Sequence, residues 1–421
     1  VNSVGGDGPM KLALVIETFD PEGGGAERSA AQIVGELAGR GHEVTVIAGA
    51  CRNPEGLPGV RIKAFAKERS STLARLVLFA RWARRQLAGG EFDASISITT
   101  AVPGTVLQPR GGMVRETLAR NVAMRRGVWG RWVKRLTIAL TPKYQVLLAL
   151  ERRTVNDPGV RKILAVSGYV AEQLRRHYGV SADRIEVLAN ASVMPQIDEG
   201  QRRLWRQQIR SAFSIDDDAV VYLFAAMNPR LKGFEPLLAA LKRVVEKGVK
   251  AVVILAGEYV YGHQKRVAEM ELGERVRFVR ETRKMAALYA AADVTVLPTY
   301  YDPASKVVIE SLMMGTPAIS TAFNGASDFI APATGGARGR VVADPGDVEG
   351  LAGAMLELAD PAERAACRAA TAGLAQELSM GQHVERLEAI LRELAAAGGA
   401  GSGRAGPGGA EDPCEGGGAG E

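Results

Sequence analysis

One local pattern occurs twice in this chain, and the repetition constrains the fold more than any single motif does. Residues 11–17 form a short apolar run of the kind that becomes a buried strand, and a glycine-bearing loop follows at residues 21–25. From Ala26 to about Gly41 apolar residues recur at helical spacing, and residues 43–48 supply a second strand. The order begins again after Asp218, with a strand over 219–226, a helix over 235–247 and a strand over 250–256. Strand–helix–strand units joined by short connections impose parallel sheets with right-handed crossovers. Apolar runs at 60–65, 94–98 and 162–166 extend the first sheet, and runs at 276–279, 294–298 and 318–321 extend the second. A chain of 421 residues also exceeds what one ordinary core holds. The expected fold class is α/β, with two Rossmann-like parallel-sheet domains. The C-terminal strand edges of both sheets should face a central cleft, where such sheets take ligands.

The expected boundaries are a domain over 10–194, a second over 195–380, and a C-terminal helix over 381–397 that packs back on the first. The charged helical stretch 196–214 either bridges the domains or opens the second. Residues 398–421, rich in Gly, Ala and Pro without apolar periodicity, read as disordered. No apolar run approaches the roughly 20 residues of a spanning helix. Residues 1–9 lack the basic start and apolar centre of a secretory signal, so Met10 reads as the natural start. Cys51, Cys367 and Cys414 suit neither a disulfide framework nor a zinc spacing, and the four histidines are scattered. A cytoplasmic protein without a metal cluster is the expectation.

Charge is unevenly placed. From Arg110 to Lys143 nine Lys/Arg oppose the single acid Glu116, a local +8 in a chain whose total is +6. Trp129 and Trp132 stand there among Arg125, Arg126, Arg131, Lys134 and Arg135. Aromatics interleaved with cations suit an interfacial helix on anionic lipid. The same charges would also track nucleic-acid phosphates. A solvated helix whose two tryptophans enter the core is the plain alternative.

Chemistry concentrates at residues 300–317. Asp302 stands at the exit of a strand, and Glu310 lies eight residues later, inside the helix that follows. Ser305, Lys306 and Val307 occupy the start of that helix, where free N–H groups and the positive end of the macrodipole favour an anion. A phosphate flanked by acceptors for hydroxyls describes a nucleotide-sugar pocket. Arg230 and Lys232 follow the first strand of the second domain, and a guanidinium fork with an ammonium suits a diphosphate. A solvated basic loop is the bland reading. Gly24 and Gly25 allow close backbone approach at a helix start, or simply make a tight turn. A full GxGxxG with an acidic ribose partner is missing, which counts against an NAD enzyme. Ser167, Asn190, Gly257 and Glu258 end or follow strands, and each alone suits a turn or cap. The triplet Asp216-Asp217-Asp218 precedes a strand and reads as a loop charge run.

In this order the pieces resemble the retaining glycosyltransferases of family 4, which have the two-domain GT-B fold, from Met10 to about Ala397. The resemblance rests on Gly24-Gly25-Ala26-Glu27-Arg28, on residues 163–167 and 185–190, on Arg230 and Lys232-Gly233, and on the two acids Asp302 and Glu310 with seven residues between them. The family's first acid is usually Glu. Asp302 within Tyr-Asp-Pro-Ala-Ser, and Gln108-Pro109-Arg110-Gly111-Gly112, resemble the branch that includes lipopolysaccharide-core glycosyltransferases. Relatives often carry a donor-contacting His at the Arg110 position. Arg110 therefore serves the acceptor, serves the diphosphate, or marks an impaired enzyme.

The resemblance implies an acceptor-binding first domain and a donor-binding second domain. It implies a retaining, metal-independent hexosyltransferase without cofactor. The donor would be a nucleotide diphosphate-sugar, a UDP-sugar first, and the acceptor a glycan or lipid-linked saccharide, as in lipopolysaccharide or cell-surface polysaccharide synthesis. Asp302, Arg230 and Lys232 would be catalytic; Glu310 (on the ribose), Ser305, Lys306, Val307, Gly257 and Asn190 would bind the donor; Gly24, Gly25, Arg110 and Gly111 would form the acceptor or diphosphate loop. Attack would come on the same face as departure, a diphosphate oxygen taking the acceptor's proton. Arg125, Arg126, Trp129, Arg131, Trp132, Lys134 and Arg135 would touch the inner face of an anionic membrane, and no nucleic acid is expected. The competing class is a catalytically weak GT-B module that binds nucleotide-sugar or glycan. An epimerase or phosphorylase is disfavoured, since no cofactor lysine and no cleft histidine are read in the sequence.

Overall fold

The computed structural model describes residues 8–53, 57–66, 73–125, 127–257, 261–280 and 284–399; Arg126, Glu258, Cys414 and the tail from residue 400 lie outside them. The first sheet holds β1 (Lys11–Phe19), β2 (Glu43–Cys51), β3 (Val60–Ala66), β4 (Ala94–Ser97), β5 (Val106–Leu107), β6 (Lys162–Ala165) and β7 (Ile185–Val187). The second holds β8 (Val220–Ala225), β9 (Ala251–Ala256), β10 (Val276–Val279), β11 (Val294–Leu297), β12 (Ala318–Thr321) and β13 (Gly339–Val342). All pairings are parallel, in the orders β3-β2-β1-β4-β5-β6-β7 and β10-β9-β8-β11-β12-β13. Every residue of β4, β8 and β9 is buried, as parallel strands covered by helices on both faces require. Strand order reverses between β1 and β4 and again between β8 and β11, which opens a crevice at the C-terminal edge of each sheet.

Residues 348–399 form a series of helices. After residue 348 the chain runs through helices Val348–Glu357, Pro361–Ala369, Leu374–Glu377 and Met380–Gly399. Pro361 starts a new helix whose Ala362 N–H is capped by Asp360 at 2.8 Å, and Gly373 turns the chain with φ +81°. The last helix lays Val384, Leu387, Ile390 and Leu391 into the core of the first domain, beside Leu12, Leu14 and Ile96. Each such side chain contributes about 1.5–3 kcal/mol on burial. The chain therefore crosses between the domains twice, and the crossings lie side by side: Ser192 bridges Ser379, and its N–H donates to Leu378 O at 3.2 Å.

Helix Glu199–Ala212 opens the second domain. Trp205 and Ile209 pack against Leu288 and Tyr289, and Arg206 and Arg210 pair with Asp293 at 2.8 and 3.0 Å. Helix Gly127–Leu140 corrects the alternative that buries its tryptophans. Trp129 is 78% and Trp132 52% exposed, and Val128, Val133, Leu136 and Leu140 join them on one helical face. The opposite side, Gly130, Lys134 and Ile138, rests half-buried, with the Lys134 ammonium 5.7 Å from the Tyr144 ring centroid.

Candidate active site

The two domains meet through polar contacts between the loop after β11 and the first domain. Tyr301 accepts from Met113 N–H at 3.1 Å and donates to Gln173 Oε1 at 3.2 Å. Ser167 donates to Pro303 O at 2.6 Å, and Asn190 Nδ2 donates to Ala304 O at 3.0 Å. Two glycines permit this approach. A Cβ on Gly112, whose φ is +74°, would run into the Tyr301 hydroxyl, and one on Gly325 would run into Pro303 O and Ser167 Oγ. Asn190 thus spends its amide on clamping the domains.

At the cleft floor, Lys232 Nζ and Asp302 Oδ2 form an ion pair of 2.5 Å, with Asp302 buried. The Lys232 loop is seated by Gly233, at φ +88°, where a side chain would strike Pro298 O. Arg230 stands exposed on the same loop. Asp302 Oδ1 also accepts from Ala304 N–H at 3.2 Å, which shapes the turn into helix Lys306–Met313. Asn324, which sequence reasoning missed, accepts from Ser305 N–H at 3.1 Å and from Ala326 N–H at 3.0 Å. The Ser305 amide is therefore engaged internally. The amides that helix geometry leaves free are those of the first turn, beginning with Lys306 and Val307. Glu310 accepts from Ser192 Oγ at 2.7 Å and from Tyr289 OH at 3.0 Å, so the first crossing between the domains, residues 189–192 (the hinge segment), and the core fix its carboxylate while each oxygen keeps a lone pair. Gly257 packs against the Ala226 carbonyl and donates its N–H to Val279 O at 3.0 Å, a structural duty at the edges of β8, β9 and β10.

Across the cleft, Gly24 N-caps helix Gly25–Gly39, and Glu27 accepts from its N–H at 2.7 Å. A Cβ on Gly25 would lie 3.4 Å from Lys306 Cδ, so the glycine loop of one domain faces the helix start of the other. Lys306 has its pKa lowered by burial and by the charges of Arg110 and Arg28, with Glu310 opposing. Arg110 is buried; burial pushes its pKa down to about 10. Its Nε donates to Gln108 Oε1 at 3.1 Å, and its Nη2 lies 3.4 Å from His383 Nε2. Gly111 beside it is exposed.

A histidine does stand at the cleft, against the expectation. His383 is buried, and burial together with the Arg110 and Lys306 charges pushes its pKa down to about 3. Its signal in the sequence was a polar residue on the apolar face that Val384 and Leu387 define. Beyond Arg110, residues Glu17, Thr99, Thr117, Asn121, Lys143 and Tyr144 line a cavity of about 370 Å³ in the first domain.

Comparison with known proteins agrees with this architecture. Residues 23–191 match the family described as Glycosyltransferase Family 4, and residues 218–360 match Glycosyl transferases group 1. A probable transglycosylase of Burkholderia thailandensis is 33% identical over 257 residues, covering 59% of this chain but only 64% of that relative, under two-thirds of its length. The lipopolysaccharide glucosyltransferase WaaG of Escherichia coli is 24% identical over 349 residues, covering 81% of this chain and 87% of WaaG. The crystal structure of WaaG shares the fold at a TM-score of 0.72 and 20% identity, covering 90% of this chain and 99% of WaaG. Anabaena HepE, solved with UDP and glucose, does so at a TM-score of 0.65 and 16% identity, over 91% of this chain and all of HepE (100%). Both halves of the chain carry the domains of one family: it belongs to the group 1 glycosyltransferases of family 4, with the GT-B fold and kinship to lipopolysaccharide-core glycosyltransferases.

Proposed function

We propose that the chain is a retaining glycosyltransferase that moves a hexose from a UDP-sugar to a glycan or lipid-linked saccharide without a divalent metal. One observation carries this reading: the glycine loop and the Lys306 helix start face each other across the cleft, beside Arg28, Arg110 and Lys306. A departing diphosphate needs positive charge placed in advance where negative charge grows, and these groups supply it. Donor binding would draw Lys232 from Asp302 to the diphosphate and free Asp302 for the hexose hydroxyls. The free lone pairs of Glu310 would take the ribose hydroxyls. Uridine and glucose come first because HepE was solved with UDP-glucose and WaaG is named a glucosyltransferase. Same-face attack, with a diphosphate oxygen as base, asks for no nucleophilic carboxylate and accounts for retention.

The acceptor would enter the 370 Å³ cavity. Its wall residue Tyr144 touches Lys134 of the helix that exposes Trp129 and Trp132, which would place that helix on an anionic membrane holding a lipid-linked acceptor. Among the described residues no helix is long and apolar enough to cross a membrane, so the contact would be peripheral.

The test is mass spectrometry and NMR of products formed from UDP-, GDP- and ADP-hexoses with a lipopolysaccharide-core acceptor. A hexosylated product with the donor's anomeric configuration is expected. Lys232→Ala should lower turnover by about 100-fold or more while the protein still folds, at a lowered melting temperature because Asp302 loses its ion-pair partner. Nucleotide binding without transfer in the wild type would favour the binding-module reading, and an inverted product would end the retaining mechanism.

A further inference from the structure

We propose that His383 is a positioning residue: it holds the Arg110 guanidinium in the cleft and ties it to the inter-domain hinge, for a ligand that carries a diphosphate. Only the identity of that ligand as a nucleotide rests on the donor reading above.

The tautomer follows from geometry. His383 Nδ1 lies 2.8 Å from Ala189 O, and a carbonyl can only accept, so Nδ1 carries the proton. Nε2 of the neutral ring then presents a lone pair, and Arg110 Nη2, which can only donate, points it out at 3.4 Å. Ring protonation would set an N–H against a guanidinium inside the protein. Arg110 is thus held by two neutral acceptors, the imidazole and Gln108 Oε1. No ion pair to Arg110 is found among the described residues. A buried guanidinium without a counter-ion is costly, and an anion entering the cleft would offset that cost. Lys306 and Arg28 act on the same space, so the site would favour two phosphates over one.

The hinge supplies the second half of the argument. Ala189 holds His383, Asn190 holds Ala304, and Ser192 holds both Glu310 and the second crossing at Leu378. Three residues of the four-residue stretch 189–192 thereby anchor groups on both sides of the cleft. Motion of this segment would move Arg110 and Glu310 together, so His383 links the setting of the hinge to the setting of the charge.

The amide variants separate the two ring contacts. His383→Asn keeps a donor for Ala189 O but does not reach Arg110. His383→Gln places an amide oxygen near the Nε2 position and gives up Ala189. Calorimetry with inorganic pyrophosphate, UDP and UMP reads the outcome. H383N should bind pyrophosphate and UDP about tenfold more weakly, matching R110M, while H383Q, which keeps the Arg110 contact and loses Ala189, should lose about threefold, and UMP binding is unchanged throughout. Wild-type affinity in H383N, losses that track the melting temperature across all three His383 variants (with H383A), or an equal loss for UMP would overturn the proposal. So would a wild type that does not bind pyrophosphate. Pyrophosphate binding without any nucleoside diphosphate binding would instead end the donor reading, leaving His383 and Arg110 to be judged on the pyrophosphate series.

Discussion

Two buried side chains should shape how this protein responds to acid, in overlapping pH windows. The His383 ring falls from its ordinary value of 6.5 to about 3 in the fold, mainly by burial, so between these values the unfolded chain binds a proton that the folded chain refuses. Stability therefore rises with pH across that window and is lost as pH falls below about 6.5, by up to about 1.4 kcal/mol per pH unit. Urea unfolding at pH 7, 6 and 5 should show this slope in the wild type and not in H383Q; parallel curves would mean that the folded protein accommodates the proton. Glu116 acts lower. Burial alone would raise its pKa, but hydrogen bonds from His177, Arg120 and Tyr169 and the Arg120 charge hold it at about 2. Its contribution is complete above about 4.5 and disappears as pH falls from there towards 2. Asp302 and Lys232 were legible as single residues because a motif carried them. His383 was not, since its partner Arg110 stands 273 positions away.

Among elements, the helix Met380–Gly399 has the least local role. It follows the second domain in sequence and completes the core of the first, with Arg40 and His42 of the first domain reaching Glu388 at 3.3 and 3.2 Å. Leu387→Ala should cost about 2–5 kcal/mol and should lower the unfolding midpoint of the first domain. Trp82, which lies 5.6 Å from Phe65 in that domain, gives a fluorescence probe; an unshifted Trp82 transition would show that the helix does not support the first core. Helix Gly127–Leu140 makes a different prediction. Its apolar face is exposed, so replacing Trp129 and Trp132 with Ser should weaken sedimentation with anionic vesicles by about tenfold while leaving UDP binding intact. Undiminished vesicle binding would remove this helix from the proposed membrane contact. Apolar periodicity made both helices legible in outline. It could not say that one face would be covered by a distant sheet and the other left bare.

For the whole molecule, function depends on how closely two sheets' edges approach. Gly325 lies over the bond that Ser167 donates to Pro303 O, where there is no room for a methyl group. Gly325→Ala should therefore wedge the cleft open, with a stability loss of about 1–3 kcal/mol. Catalytic efficiency should fall by about 10- to 100-fold, because groups on opposite domains would no longer meet one ligand. Small-angle scattering should report a larger radius of gyration. An unchanged radius with full activity would show that the contact is dispensable for closure.

By itself, the sequence determined the number of sheets, their parallel sense, and the placing of Asp302 and Lys232 after strands and of Glu310 inside a helix. Those features arise from local periodicity and from glycines and charges at fixed short spacing. Tertiary structure alone decided that Ser305 would give its amide to Asn324, that Asn190 and Gly257 would serve packing, and that His383 would face Arg110. Such pairings depend on where two domains and a returning helix come to rest, and burial sets their energies. A linear pattern of residues carries no record of either.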